Sequence, residues 1–326
     1  MSWTDICGHE DAKRLLQAHL QAQEVPGGYL LVGPEGVGKR KLALEMAKAL
    51  NCAADEGARP CDACQTCVQM GRGTHPDLHL LLPGGASDQV KIESVRHLLG
   101  RFALRPFNAS IQVALIDGAD RLTEEAANAL LKALEEPSRS ARFLLTTSRL
   151  ADCLPTIVSR CQIIRCGPLP SGVIARLLVE RHGCDAGTAQ AAARLSDGSA
   201  ARALELAKRW DAYQETLARL GSEQPQAEWM GKGMPETRQD LARLLEDMTA
   251  WLRDVAVAAS GSPDLVAHAD QAHAVRRQAA AVDMDRCLET AFELISLRDS
   301  LEQFANPRLV ASLAREKWLQ LLEGVG

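Results

Sequence analysis

The chain is poor in aromatic residues, which make up 4% of its positions (five Trp, two Tyr, five Phe). It is rich instead in Ala and Leu, residues that occupy helix positions at little cost, and this favours helices over a β-sandwich. No run approaches the ~18 apolar residues that a membrane span needs. The start, Met1-Ser-Trp-Thr-Asp-Ile-Cys, carries charge too early for a signal peptide. A soluble, cytoplasmic protein without a membrane partner is expected. A strong excess of positive charge is also lacking: 37 Lys and Arg stand against 42 Asp and Glu, a formal net charge of −5. Such a chain does not hold nucleic acid through a general positive field, so any contact with DNA is local or shared with other subunits. Internal repeats and low-complexity tracts are absent as well. What remains is 326 residues with 46% apolar content, enough for two or three domains with a sizeable core.

Along the first half, short apolar runs alternate with helical patterns. Strands are expected at 29–33, 77–82, 112–116, 142–147 and 162–165, and helices at 39–50, 92–104 and 124–136, the last stopped by Pro137. This alternation implies a mainly parallel sheet covered on both faces. After Gly167-Pro168-Leu169-Pro170 only short Ala/Leu/Arg helices follow, with a turn at 196–199. From Trp210 onward the period is helical, broken by a Gly/Pro-rich loop at 221–235 and again near 261–263. The fold class is α/β followed by all-α. Three units are expected: a P-loop domain over 1–167, a small helical domain over 168–208 and a helical C-terminal domain over 209–326.

The first strand runs into Gly33-Pro-Glu-Gly36-Val-Gly38-Lys39-Arg40. This is the phosphate-loop pattern, in which backbone N–H groups wrap phosphates, a lysine reaches the outer phosphates and a final Ser or Thr holds Mg²⁺. The glycines and Lys39 are in place, and together they form a cradle able to hold ATP. The hydroxyl position, however, is Arg40, which has only donors and cannot ligate a cation. The apolar strand at 112–116 ends in Asp117, where an Mg²⁺-orienting acid belongs, but the next residue is Gly118, which cannot act as a base. Two separate defects thus fall on ATP hydrolysis.

Ten cysteines in an intracellular chain point to metal or burial rather than disulfides. Cys52, Cys61, Cys64 and Cys67 follow a C-x8-C-x2-C-x2-C spacing inside an insert at about 52–76, suited to a closed tetrahedral Zn²⁺ site of structural type. A redox pair or inert buried thiols would be the plainer alternatives. Burial is the expectation for Cys7, Cys153, Cys161, Cys166, Cys184 and Cys287.

Asn128-Ala-Leu-Leu-Lys-Ala-Leu-Glu-Glu-Pro137, then Ser159-Arg160-Cys161, and the cysteine insert followed by Thr74-His-Pro-Asp77, resemble the AAA+ clamp-loader subunits of bacterial DNA polymerase III. The resemblance implies an AAA+ domain with a zinc module, a helical lid and a C-terminal collar joining subunits. It implies gamma/tau and delta subunits as partners, and contact with the sliding clamp and primed DNA through the complex. It also implies that Arg160 acts in trans on a neighbour's ATP, whereas an arginine met in isolation would simply pair with a local carboxylate. A motor subunit of the family would carry a sensor arginine where this chain has Ala201, with Arg202 one residue on. Together with Arg40 and Gly118 this implies a non-motor member. An active motor with atypical Mg²⁺ handling is the alternative, and a zinc-dependent nucleic-acid binder acting alone is a weaker third.

Overall fold

The computed structural model of the chain describes residues 3–84, 88–222, 234–235, 237–262, 265–303 and 305–323. Most of the loop expected over 221–235 lies outside them. The chain divides into two compact units, Met1–Leu204 and Glu205–Gly326.

The first unit is built on five parallel strands, β1 (Gly28–Val32), β2 (Leu78–Leu81), β3 (Gln112–Asp117), β4 (Ala141–Thr147) and β5 (Gln162–Arg165), in the order β2-β3-β4-β1-β5. Successive side chains alternate between faces. Tyr29, Leu31, Val113, Leu115 and Leu144 pack with Leu42 and Met46 on one side. Leu30, Ala114, Ile116, Phe143 and Leu145 pack with Val95, Leu98 and Leu130 on the other. Because both faces are covered, the strands read as continuous apolar runs.

The helices of this unit are α1 (Glu10–Gln21), α2 (Lys39–Asn51), α3 (Gln65–Gly71), α4 (Ile92–Phe102), α5 (Glu124–Glu135), α6 (Pro155–Val158), α7 (Ser171–His182), α8 (Ala186–Leu195) and α9 (Ala200–Lys208), which runs across the division. Thr123 caps α5 by accepting a hydrogen bond from the N–H of Ala126, and Asp185 caps α8 through Thr188. The phosphate loop lies between β1 and α2 of this parallel sheet.

The second unit holds α10 (Trp210–Leu220), α11 (Arg238–Ala259), α12 (Ala272–Ala281), α13 (Met284–Glu302) and α14 (Pro307–Glu323). Leu241, Leu244, Leu245, Met248, Trp251, Leu252 and Val255 line the buried face of α11 at helical spacing. Beside them the buried Asp254 carboxylate accepts from the backbone N–H of His268 at 2.8 Å and meets its Nδ1 at 2.6 Å. Among the described residues, no helix is long and apolar enough to cross a membrane.

Candidate functional site

Three places carry the chemistry expected from the sequence. The first is the phosphate loop at the C-terminal edge of the sheet. Gly33 has no room for a side chain, since a Cβ there would lie 1.8 Å from the carbonyl oxygen of Cys166. Gly36 and Gly38 sit at φ +74° and +103°, which L side chains rarely adopt. Lys39 is almost fully buried, and its Nζ donates to the carbonyls of Gly33 (2.8 Å) and Pro34 (2.7 Å) within its own loop. Burial holds its ammonium below the usual lysine range, against the opposing pull of Cys166, Asp117 and Glu35.

Arg40 faces Asp117, with Nη1 3.8 Å from Oδ2. The other carboxylate oxygen accepts from Thr146 Oγ1 at 2.5 Å, and Thr146 Oγ1 in turn accepts from the N–H of Gly118 at 3.2 Å. The guanidinium therefore faces the carboxylate oxygen opposite the one that Thr146 bonds. Asp120, one turn on, accepts from Thr147 Oγ1 at 2.7 Å. Between these groups lies a cleft of about 130 Å³, lined by the acids Glu35, Asp117 and Asp120 and the bases Lys39 and Arg121. Sites for whole small ligands run to roughly 300–1,000 Å³. The start of α9 closes the loop from above. The Ala201 N–H donates to the Gly36 carbonyl at 3.2 Å, and a Cβ on Gly36 would meet Ser199 Oγ at 2.2 Å and Ala201 Cβ at 2.8 Å. The structure thus brings Gly36 together with Ala201.

The second place is the cysteine insert. The sulfurs of Cys52, Cys61, Cys64 and Cys67 all lie within 4.8 Å of one another. A tetrahedral Zn²⁺ with bonds of about 2.3 Å sets its sulfurs roughly 3.8 Å apart, so the donor set fits such an ion. Backbone N–H groups already point at the sulfurs: Ala54 and Cys61 donate to Cys52, Cys64 to Cys61, and Cys67 to Cys64. The N–H of Cys64 and of Ala63, with Cys52, lower the Cys61 thiol to about 6, whereas burial pushes Cys67 up. Lys48 on α2 binds Asp62 of the insert (2.9 Å) and Glu45 (2.7 Å), tying the module to the sheet-covering helix. Of the scattered cysteines, Cys153, Cys166 and Cys287 are buried, but Cys7, Cys161 and Cys184 are only partly so.

The third place is Arg160, between α6 and β5. It makes the local pair: Nε donates to Glu135 Oε1 at 2.7 Å, and Nη2 bonds the same oxygen. The parallel register pairs Tyr29 with Gln162 and Val32 with Arg165. Arg160 therefore lies at the N-terminal edge of the sheet and the phosphate loop at the opposite one, about 17 Å away for five residues at ~3.3 Å each.

One anchoring residue escaped a role on sequence grounds. Asp77, almost fully buried, accepts the backbone N–H groups of Phe107 (2.7 Å), Asn108 (2.8 Å) and Ala109 (2.9 Å). Burial alone would raise its carboxyl, but these bonds and nearby His75 hold it below the usual range. His75 Nδ1 accepts the N–H of Asp77, and burial lowers the His75 imidazole. The Thr-His-Pro-Asp motif was the signal available.

The family described as DNA polymerase III, delta subunit, matches residues 8–170, half of the chain. DNA polymerase III subunit delta' of Bacillus subtilis (strain 168) is 36% identical over 168 residues, 52% of this chain and 50% of the relative. Subunit delta' of Pseudomonas aeruginosa PAO1 is 41% identical over 142 residues, 44% and 43% of the two chains. Subunit tau of Escherichia coli K12 is 35% identical over 160 residues, 49% of this chain and 24% of that one. The chain spans about half the length of the curated delta' relatives it matches. With its AAA+ sheet, its phosphate loop and these relatives, the chain belongs to the delta-prime family of DNA polymerase III clamp-loader subunits.

Proposed function

We propose that this chain is a non-motor subunit of a clamp-loader complex. In this reading it helps place the sliding clamp on primed DNA, alongside gamma/tau and delta subunits, and supplies Arg160 to the ATP of a neighbouring motor. The observation that carries the reading is the position of Arg160. It stands on the opposite sheet edge from the chain's own phosphate loop, so its guanidinium can reach a nucleotide only on another subunit. A guanidinium at a γ-phosphate neutralises the charge that develops during transfer.

The state of the chain's own loop supports the non-motor half. Arg40 faces Asp117 and offers no cation ligand, Gly118 offers no base, and Ala201 closes on Gly36. In this reading the Cys52, Cys61, Cys64 and Cys67 thiolates hold a structural Zn²⁺, since four protein ligands leave no position for reacting water. The helices over 168–208 form the lid, and 209–326 the collar. Exposed Met284, Leu288 and Phe292 on α13, with Leu309 and Leu313 on α14, offer an apolar face for neighbouring subunits. Ile295 and Leu297 are only partly exposed and belong less to that face.

The test is Arg160→Ala in the reconstituted complex, assayed for ATP turnover with clamp and primed DNA. A fall of at least about a thousandfold in the affected site's turnover is the scale for an arginine finger, and unchanged turnover would refute the proposal. A second reading, a slow motor, draws on the intact Gly-Lys pair and the tau relative. It requires ATP hydrolysis by the purified chain alone, abolished by Lys39→Ala.

A further inference from the structure

We infer that Glu135, the last residue of α5, is a positioning residue that aims Arg160. The inference rests on the trans role proposed above and adds to it the group that sets the arginine's direction. A guanidinium has five N–H donors. Four bonds are engaged here: Nε and Nη2 converge on Glu135 Oε1, while Nη1 donates to the Thr156 carbonyl at 3.0 Å and to Ser159 Oγ at 3.3 Å.

The arrangement sorts the edges of the group. Glu135 takes the side edge, formed by Nε and Nη2. The carbonyl of Thr156, the second residue of α6, holds Nη1 together with the Ser159 hydroxyl. Among the described residues one N–H of Nη2 has no acceptor, and the longest of these contacts is the one from Nη1 to the Ser159 hydroxyl. A phosphate oxygen arriving from outside can take this N–H, with the long Ser159 contact the first to yield. Glu135 is left in place, and the side chain is already fixed in one direction.

An arginine otherwise loses substantial rotamer freedom when it docks on a phosphate, and holding it in advance removes that cost from the reacting complex. The carboxylate lies 25 residues away in sequence, on a different helix, and α5 is itself packed on the sheet through Ala126, Leu130 and Leu134. The aim is thus referenced to the rigid sheet rather than to the short α6 alone. Glu135 is about half exposed, so its removal leaves the fold intact.

The experiment uses the reconstituted complex with clamp and primed DNA, measuring kcat and KM for ATP. Glu135→Ala is expected to lower kcat roughly three- to thirtyfold, the ceiling being the full rotamer freedom of an arginine, with KM little changed. Glu135→Gln, whose amide oxygen still accepts from Nε and Nη2, is expected to recover most of that loss. In an Arg160→Ala background, Glu135→Ala is expected to have no further effect. Unchanged or raised turnover in Glu135→Ala overturns the inference, as does a Gln variant no better than Ala. An Arg160→Ala variant with full turnover would instead remove the trans role itself, so the two failures are distinguishable.

Discussion

Replacing Asp77 by Ala removes the acceptor for three backbone N–H groups at once, those of Phe107, Asn108 and Ala109. Hydrogen bonds to a charged group contribute about 1.5–3 kcal/mol each, so three of them set a gross ceiling of several kcal/mol. All three residues that donate are partly or fully exposed, and water will reach some of the freed donors. A loss of about 3–4 kcal/mol is therefore expected, near the lower part of the range for breaking a buried charged contact. The assay is urea unfolding of the purified chain, followed at pH 7 and again under acid conditions. The carboxyl is held below its ordinary value in the folded protein, so its contribution is complete above the unfolded pKa of about 3.9. It declines as pH falls through the lower folded value. The difference between wild type and variant should be full at pH 7 and shrink below about pH 4. A loss under about 1 kcal/mol at pH 7, or a difference that persists unchanged in acid, would refute the view that this carboxylate anchors the loop between α4 and β3.

The cysteine module makes a direct prediction: purified protein should carry about one equivalent of Zn²⁺, and Cys64→Ser should lose it together with order in the insert, as seen by metal analysis and limited proteolysis. A folded, metal-free protein whose four thiols all react freely would count against the site. Gly36→Ala should destabilise the first unit by roughly 1–3 kcal/mol, because φ is +74° and the new methyl would strike Ser199 and Ala201. Thermal unfolding measures this, and an unshifted transition would mean that α9 does not rest on the loop.

Strands were legible wherever burial on both faces made them apolar throughout, and all five lie within a residue or two of their expected places. The ends of α5 were equally plain, since Thr123 caps one and Pro137 follows the other. Helix α1 gave no such warning: His9 precedes it in a left-handed conformation with no side-chain cap, so the usual start signature is absent. Helix α3 lies hidden in the insert, where Cys, Gly and Pro dominate the composition and only seven residues are helical. The four cysteines of the cluster were readable because their spacing is local. The partners of Asp77 and Arg160 were not, because they lie about 30 and 25 residues away and meet only when the sheet forms. Local sequence can nominate a charge, but the fold decides what it faces.

Arg40 shows how far such a decision can reach. A metal ion at Asp117 arrives and leaves with a nucleotide, so a site that depends on it has two states. A guanidinium attached to the chain cannot leave, and Arg40 keeps a positive charge on that side of Asp117 at all times. Thr146 and Gly118 are bonded behind the acid, and the Ala201 N–H is bonded to the Gly36 carbonyl above. Lys39 places two of its three donors on Gly33 and Pro34. On the proposed reading this permanence is useful: a subunit whose own loop does not cycle offers a fixed frame, and Arg160, referenced to the same sheet, inherits that rigidity. The cationic chemistry has then moved from one edge of the sheet, where it would serve this chain, to the other, where it serves a neighbour.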